Sequence, residues 1–484
     1  MFRPIIAAIL LLGAAVCTAR DGDLDLRFDG DGKRAVAFDL STSRFDHAVA
    51  TFVDAAGRYT VVGYADYGHV AFARLLPNGA IDAGFGSGGY LTRPLPANAT
   101  VTVAAKDFAG RIVVGGQAMN PLDEDPFVCR YAADGTPDTQ LGPDGCRVVP
   151  VDYSVNGDDN VNAIAVSETG YIYLAGSAQR NDTGDYDFFV MRLRETDAAP
   201  DSGFGGGDGI QTIAFDLDGN HAGGDDDGAT TLLLAGTWLY VGGYAYTNVF
   251  SNHDFAIAKI NSGSGALDTT FCPNATACTG SEAYQGKRTL SFTLTATRFD
   301  EQVRGLKFDR NGYLIMAGTA ADNTGADLIL ARLQTDGAFP AQAFGNEGNH
   351  VRGTLLEDLA VGGLAVDFDT NRILVSGSTA SAPGSADPDR LLWVGRFLAD
   401  GTADLSFATV GVNPSWVKAI AFEHHDDAQP TDNTGGALLI DRGRIVLTGS
   451  RLWQRDAGIG LNDYDFAVAR FEGDAIFIDG LDGY

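Results

Sequence analysis

The chain has 484 residues, 45% of them hydrophobic and 20% charged, with a formal charge of −29. That length supports a large core, while an acidic surface repels nucleic-acid phosphates and anionic lipid and so excludes charge-driven binding to either. Gly makes up 62 residues, well above the usual share of about 7%, and without a collagen period this implies many tight turns.

The first element reads as a signal peptide over residues 1–19. Arg3 precedes the apolar run Ile5–Val16, which is too short to span a bilayer but suits a signal core, and cleavage is expected after Ala19. No later run reaches membrane length. Residues 20–471 are therefore expected to form an exported domain, secreted or periplasmic, and residues 472–484 a tail. Loss of Cys17 would leave Cys129, Cys146, Cys272 and Cys278, an even set that suits an oxidising compartment. By proximity, Cys272 and Cys278 would close a small loop, and Cys129 and Cys146 sit on successive strands.

A pattern of four strands then recurs. The first strand alternates into a Gly turn, as in Ala48–Gly57. The second follows at once as a β-branched run closed by Gly: Tyr59–Gly63, Ile112–Gly116, Ile172–Gly176, Leu239–Gly243, Leu314–Gly318, Ile373–Gly377 and Ile445–Gly449. The third is apolar at every position and ends in a cation, as in Phe188–Arg192 and Phe466–Arg470, so both faces of the sheet should be covered. The fourth follows turns centred on Phe28, Phe85, Leu141, Phe204, Phe271, Phe344 and Phe407. The pattern begins with an orphan fourth strand near Lys33–Asp39 and ends one strand short at Phe471. The expected fold is all-β: a seven-bladed β-propeller of four-stranded blades, its ring closed by the N-terminal strand completing the last blade. No segment has a helical period.

Asp465–Arg470, Ala266–Phe271 and Gly110–Gly116 resemble the delta-60 repeat, a bacterial β-propeller repeat of unestablished function. The resemblance runs from about Asp23 to Phe471. It implies an exported propeller and supplies no catalytic residues. Two places depart from it: Ala341 stands where the other turns have Asp, and the connection Val410–Val417 is irregular.

The most regular polar feature is a cation closing the third strand with an Asp eight or nine residues later: Arg74 with Asp82, Arg130 with Asp138, Arg192 with Asp201, Lys259 with Asp268, and Arg396 with Asp404. Ring closure would give Arg470 the partner Asp25. These pairs are expected to fix turns rather than to catalyse. Acidic residues also precede most first strands: Asp46, Asp159, Asp227, Asp300, Asp358 and Asp432, with Asn98–Thr100 the exception. Such a broken ring at a channel mouth would suit Ca²⁺, and Asp159, Asp216, Asp218, Asp225, Asp226, Asp227 and Asp300 are the candidate ligands. The competing reading has each Asp in an Asx turn on its own backbone. Otherwise no cofactor is expected.

His424 and His425, with Asp426 and Asp427, form the one His-rich cluster, in a loop. No nucleophile elbow, zinc helix or phosphate loop occurs, and Gly205–Gly209 lies in a hairpin rather than a strand-to-helix junction. The loops joining second to third strands and blade to blade vary most in length and share one face, where binding is expected. The expected function is therefore an exported, monomeric, non-catalytic scaffold. It would bind a glycan, a cell-envelope component or a protein through that face. The alternative is a hydrolase or lyase at the channel mouth that uses carboxylates, with or without Ca²⁺.

Overall fold

The computed structural model describes residues 21–473 apart from 39, 41–44, 67, 120–122, 152–156, 181–184, 216, 218–225, 248–251, 280, 282, 293–299, 323–324, 354–358, 381–389, 411–412, 423–432 and 457–460. The described residues are β-strands and turns, and no helix among them is long and apolar enough to cross a membrane.

β1 (Lys33–Val36) stands alone in sequence. β2 (Asp46–Val53), β3 (Tyr59–Ala65), β4 (His69–Leu75) and β5 (Tyr90–Pro94) form an antiparallel meander. The next is β6 (Ala99–Lys106), β7 (Ile112–Met119), β8 (Glu124–Tyr131) and β9 (Cys146–Val148). It is followed by β10 (Asp159–Val166), β11 (Ile172–Gln179), β12 (Tyr186–Leu193) and β13 (Ile210–Ile213). β14 (Gly228–Ala235), β15 (Trp238–Thr247), β16 (Asn252–Asn261) and β17 (Lys287–Leu290) share one sheet with β18 (Asp300–Phe308), β19 (Leu314–Asp322), β20 (Gly325–Leu333) and β21 (His350–Gly353). β22 (Ala360–Asp367), β23 (Arg372–Ala380) and β24 (Arg390–Phe397) are completed by β27 (Val417–Ile420), after a ribbon of β25 (Ala408–Val410) and β26 (Asn413–Ser415). That ribbon occupies the irregular connection. β28 (Thr434–Asp441), β29 (Arg444–Asp456) and β30 (Leu461–Phe471) end the series.

The expectation of seven separate blades is corrected. Five four-stranded blades stand apart, and the strands from Gly228 to Gly353 form a single eight-stranded sheet. The cause is local. His253 of β16 pairs in parallel with Asp300 of β18, and their side chains share a hydrogen bond of 3.1 Å; through this pairing the sheet continues from one meander to the next. The N-terminal strand lies antiparallel on β30, with Lys33 opposite Ala469 and Val36 opposite Phe466.

Successive first strands pack on one another, β2 on β6, then β10, β14, β18, β22 and β28, which returns to β2. They surround a central channel. Chain direction sets its two ends. First strands begin at a loop face, which also carries the second-to-third loops, and end at a turn face. Each first strand carries a bulge, at Val49, Thr102, Asn162, Thr230, Arg304, Gly362 or Gly436. A bulge re-aims its side chain, and three of these reach the next strand. Thr102 Oγ1 donates to Val161 O at 2.6 Å, Asn162 Nδ2 to Ala229 O at 3.0 Å, and Thr230 Oγ1 to Val303 O.

The second strands run past the glycines that were expected to close them: β3 continues to Ala65 and β11 to Gln179. These glycines are mid-strand. The bulge drives a carbonyl onto each, so that a Cβ on Gly176 would lie 1.6 Å from Asn160 O and one on Gly63 1.8 Å from His47 O. The core lies between sheets, where Phe188, Val190, Val241 and Ala256 pack in one cluster and Phe255, Val303, Met316 and Ile329 in the next.

Candidate functional site

The cation closing each third strand sits over a turn built by its aspartate. Arg74 Nε lies 2.7 Å from Asp82 Oδ2, Arg130 Nε 2.8 Å from Asp138, Arg192 Nη2 2.7 Å from Asp201, and Lys259 Nζ 2.8 Å from Asp268. Arg396 Nε lies 2.9 Å from Asp404 and Arg470 Nη2 2.7 Å from Asp25. The other carboxylate oxygen accepts the N–H two residues on, at Gly84, Gln140, Gly203, Thr270, Ser406 and Arg27. Burial opposes ionisation of Asp82, but its Arg74 and Gly84 hydrogen bonds outweigh that and hold the carboxyl below its usual range. A ring completes the unit. Arg74, Arg332, Arg396 and Arg470 stack on Phe85, Phe344, Phe407 and Phe28 at 4.6–4.8 Å. In the sequence these phenylalanines mark turn centres, and nothing there marks the stacking. These residues bind one another and the turn backbone.

Cys129 and Cys146 form a disulfide between directly opposed residues of β8 and β9, and Cys272 and Cys278 form a second within the long β16–β17 connection. Among the metal candidates, Asp216, Asp218 and Asp225 lie outside the described residues, as do Asp358, Asp432, His424, His425, Asp426, Asp427, residues 1–19 and the tail from 474.

The remaining acidic positions divide into two registers. Asp46, Asp159, Asp227 and Glu301 stand three residues before a bulge and are at most 2% exposed. Asp46 Oδ2 accepts the Phe38 N–H at 2.7 Å, Asp227 Oδ2 the Phe215 N–H at 2.7 Å, and both Glu301 oxygens the Phe292 N–H at 3.0 Å. These carboxylates anchor the chain as it enters each first strand. One position earlier stand Phe45, Asn98, Asp158, Asp226 and Asp300. Neighbours in a strand point to opposite sides, so these form the rim of the channel at the loop face. The true counterpart of Asp46 and Asp227 in β18 is thus Glu301, and Asp300 belongs to the rim.

Two rim carboxylates, Asp226 and Asp300, line one pocket of about 310 Å³ together with Tyr244, His253, Glu301 and Gln302. It opens where the two meanders of the eight-stranded sheet meet. His253 is held between the rings of Tyr244 and Tyr246, at 5.0 and 5.8 Å, and its Nδ1 lies 3.1 Å from Asp300 Oδ1. Asp300 remains 44% exposed, whereas Asp226 Oδ1 is buried without a hydrogen-bond partner among the described residues. Burial raises the Asp226 pKa, against the opposing pull of His253 and the Tyr186 N–H. The Tyr244 phenol is pushed up by burial and then by Asp226. Further round the rim, burial and then Asp158 raise Glu124, which lines a second cavity of about 470 Å³ with Asn98, Thr100 and Gln117. No group of three or more His, Cys, Asp or Glu side chains able to hold a metal occurs among the described residues. His253 is not among the residues expected from the sequence, where its one mark is the Asn252-His253-Asp254 triplet opening a third strand.

The chain is similar to a family described as a domain of unknown function (DUF5122) β-propeller, whose model matches residues 55–85, 110–140 and 238–271. That match carries a propeller repeat, without the delta-60 name. No curated protein matches the chain. Among solved structures, the polysaccharide lyase Uly1 is similar at 12% identity and a TM-score of 0.49, over 88% of this chain and 90% of that one. Drosophila Semaphorin 2a is similar at 9% identity and 0.44, over 91% and 75%. The β-propeller domain of Cps50 (Swd1) from Myceliophteria thermophila is similar at 8% identity and 0.40, over 90% and 99%. At these values the three carry no assignment of activity, and what stands is that this chain is a β-propeller with a polar pocket at one channel mouth.

Proposed function

We propose that the protein is an exported propeller that binds a glycan at the loop-face channel mouth, in the pocket between Asp226 and Asp300. The observation supporting this reading is the convergence of Asp226, Tyr244, His253, Asp300 and Gln302 on one cavity of about 310 Å³, a small-ligand size. Carboxylates and an amide suit sugar hydroxyls, and the Asp300 carboxylate is 44% exposed at this pocket. Phe45, His47 and Tyr64 cluster at the same face against the buried Tyr464, with His47 stacked on Tyr64 at 5.5 Å, and offer a ring surface for a longer chain. Two disulfides accord with export.

A glycan array with the mature protein, followed by calorimetry on the hits, tests this. Asp226→Asn and Asp300→Asn should each weaken binding about tenfold or more, as loss of a charge-assisted hydrogen bond does. Failure of every neutral and acidic glycan to bind would overturn it. Asp226→Asn should also raise Tm at neutral pH, because it removes a carboxylate that burial disfavours.

One observation favours a catalytic reading. Burial biases Asp226 toward protonation, and it lines the same pocket as the exposed Asp300; a carboxyl kept protonated beside a second carboxyl group can serve as the acid in glycosidic cleavage. On that reading Asp226→Asn abolishes release of reducing ends while binding persists. A divalent cation is the remaining occupant to test: a rise in Tm with Ca²⁺ that chelator reverses and Asp226→Asn removes would assign the pocket to it.

A further inference from the structure

We propose that the opposite mouth of the channel is a second binding site, for an amphipathic carboxylate whose head group pairs with Lys307. At the turn face, the ends of β10, β14 and β18 surround a cavity of about 650 Å³, within the range of small-molecule sites. Its walls are mixed, with Ser167, Glu168, Thr169, Arg192 and Ser262 beside the apolar side chains. Ile164, Val166, Leu232 and Leu234 line it half-buried, and Phe108 stands at the rim 70% exposed.

Lys307 is the anomaly in that wall. The other first strands carry Phe52, Ala105, Ala165, Leu233, Ala365 and Leu439 at the same register after the bulge, so the fold does not require a charge there. Lys33, Lys106 and Lys287 donate to Ala421 O, Val53 O and Ala214 O at 3.3, 3.1 and 2.6 Å, and Lys259 binds Asp268. Arg192, the second cation lining the cavity, is held by Asp201 and by the carbonyls of Ser262 and Gly263. Lys307 has no hydrogen bond or ion pair among the described residues. Its side chain is exposed to the channel water, and desolvation by the surrounding protein lowers its pKa. An exposed cation beside Ile164, Val166, Leu232 and Leu234, in a protein of charge −29, is complementary to an anionic head with an apolar tail.

The site lies on the other face from the proposed glycan pocket, and the two stand or fall separately. The test is calorimetric titration of the mature protein with decanoate, decyl maltoside and decyltrimethylammonium. Decanoate should saturate one site and bind at least tenfold more tightly than the neutral and cationic amphiphiles. Lys307→Gln should lose tenfold or more of the decanoate affinity with an unchanged melting curve, and Lys307→Arg should restore most of it. Arg304→Gln, three residues up the same strand, should leave it unchanged. Phe108→Asp at the exposed rim should also weaken decanoate, which keeps the test open if Lys307→Gln fails to fold. Equal binding of the three amphiphiles, an undiminished Lys307→Gln, or no saturable decanoate binding would each overturn the proposal.

Discussion

In six turns one aspartate does two jobs: its Oδ1 accepts the N–H two residues on, and its Oδ2 receives the cation that closes the third strand. Ala341 shows what the aspartate contributes. Without it, Arg332 donates to the carbonyls of Ala399, Gln342 and Ala343, but its Nε, the nitrogen that reaches aspartate in Arg74, Arg130, Arg396 and Arg470, is left buried and unsatisfied. The turn also lacks the bridge seen elsewhere, such as Leu75 with Ile81 or Phe397 with Ala403. Ala341→Asp should therefore raise stability by about 1–2 kcal/mol, the worth of a charge-assisted hydrogen bond to a buried donor, read as a higher urea midpoint at unchanged slope. The same pairs set the acid limit. Asp25, Asp82, Asp138, Asp268 and Asp404 are all held below the usual carboxylate range, each despite its burial, by hydrogen bonds and nearby cations. Their folded values lie below the unfolded ones, so their contribution is complete above about pH 4 and is lost as pH falls further. Asp226, Glu124 and Glu472 are raised and work in the opposite direction. Tm should hold nearly level from pH 7 to about 5 and drop steeply below about 4; a steady decline across pH 7 to 5 would contradict this.

At the scale of the strand, the bulge organises both the wall and the glycine pattern. It brings the preceding carbonyl against the second strand, and only a residue without Cβ tolerates that approach. Gly176→Ala should cost about 1–3 kcal/mol through overpacking, measurable as a lower denaturant midpoint, although its neighbours are ordinary strand residues. The strands were legible because alternation on a doubly covered sheet leaves a run such as Phe188–Leu193 apolar throughout. The glycines were legible as a period, and their cause was not, since a close approach between strands leaves no local mark. The rim was harder to read. Asp300 and Glu301 are adjacent acids, and a slip of one residue exchanges an anchor for a rim group. His253 had no periodic counterpart to draw attention to it.

Across the whole molecule, closure depends on the N-terminal segment. β1 covers the edge of β30, Leu24 bridges to Phe471, and Gly22 N donates to Glu472 O at 2.9 Å. Asp25, fully buried, is the charge at the seam. It binds Arg470, whose Nη1 accompanies Tyr59 Oη at 3.2 Å, and Tyr59 donates to Asp441 at 2.7 Å, so three parts of the chain meet at one network. Burial and then the Asp441 hydrogen bond push the Tyr59 phenol up to about 12, which keeps it a donor at any ordinary pH. By contrast, the joined eight-stranded sheet rests on one cross-meander contact, a proximity that no repeat encodes. Asp25→Ala would strand the Arg470 charge inside the seam and should cost about 3–5 kcal/mol. Deleting residues 20–37 removes the strand as well as the charge and bares the β30 edge, which is a template for pairing with another chain. That variant should migrate as dimers or larger species in size-exclusion chromatography, and a peptide spanning residues 21–38 should return it to monomer size and raise its Tm. A deletion variant that stays monomeric with the parent Tm would show that the ring is held by its first-strand contacts alone.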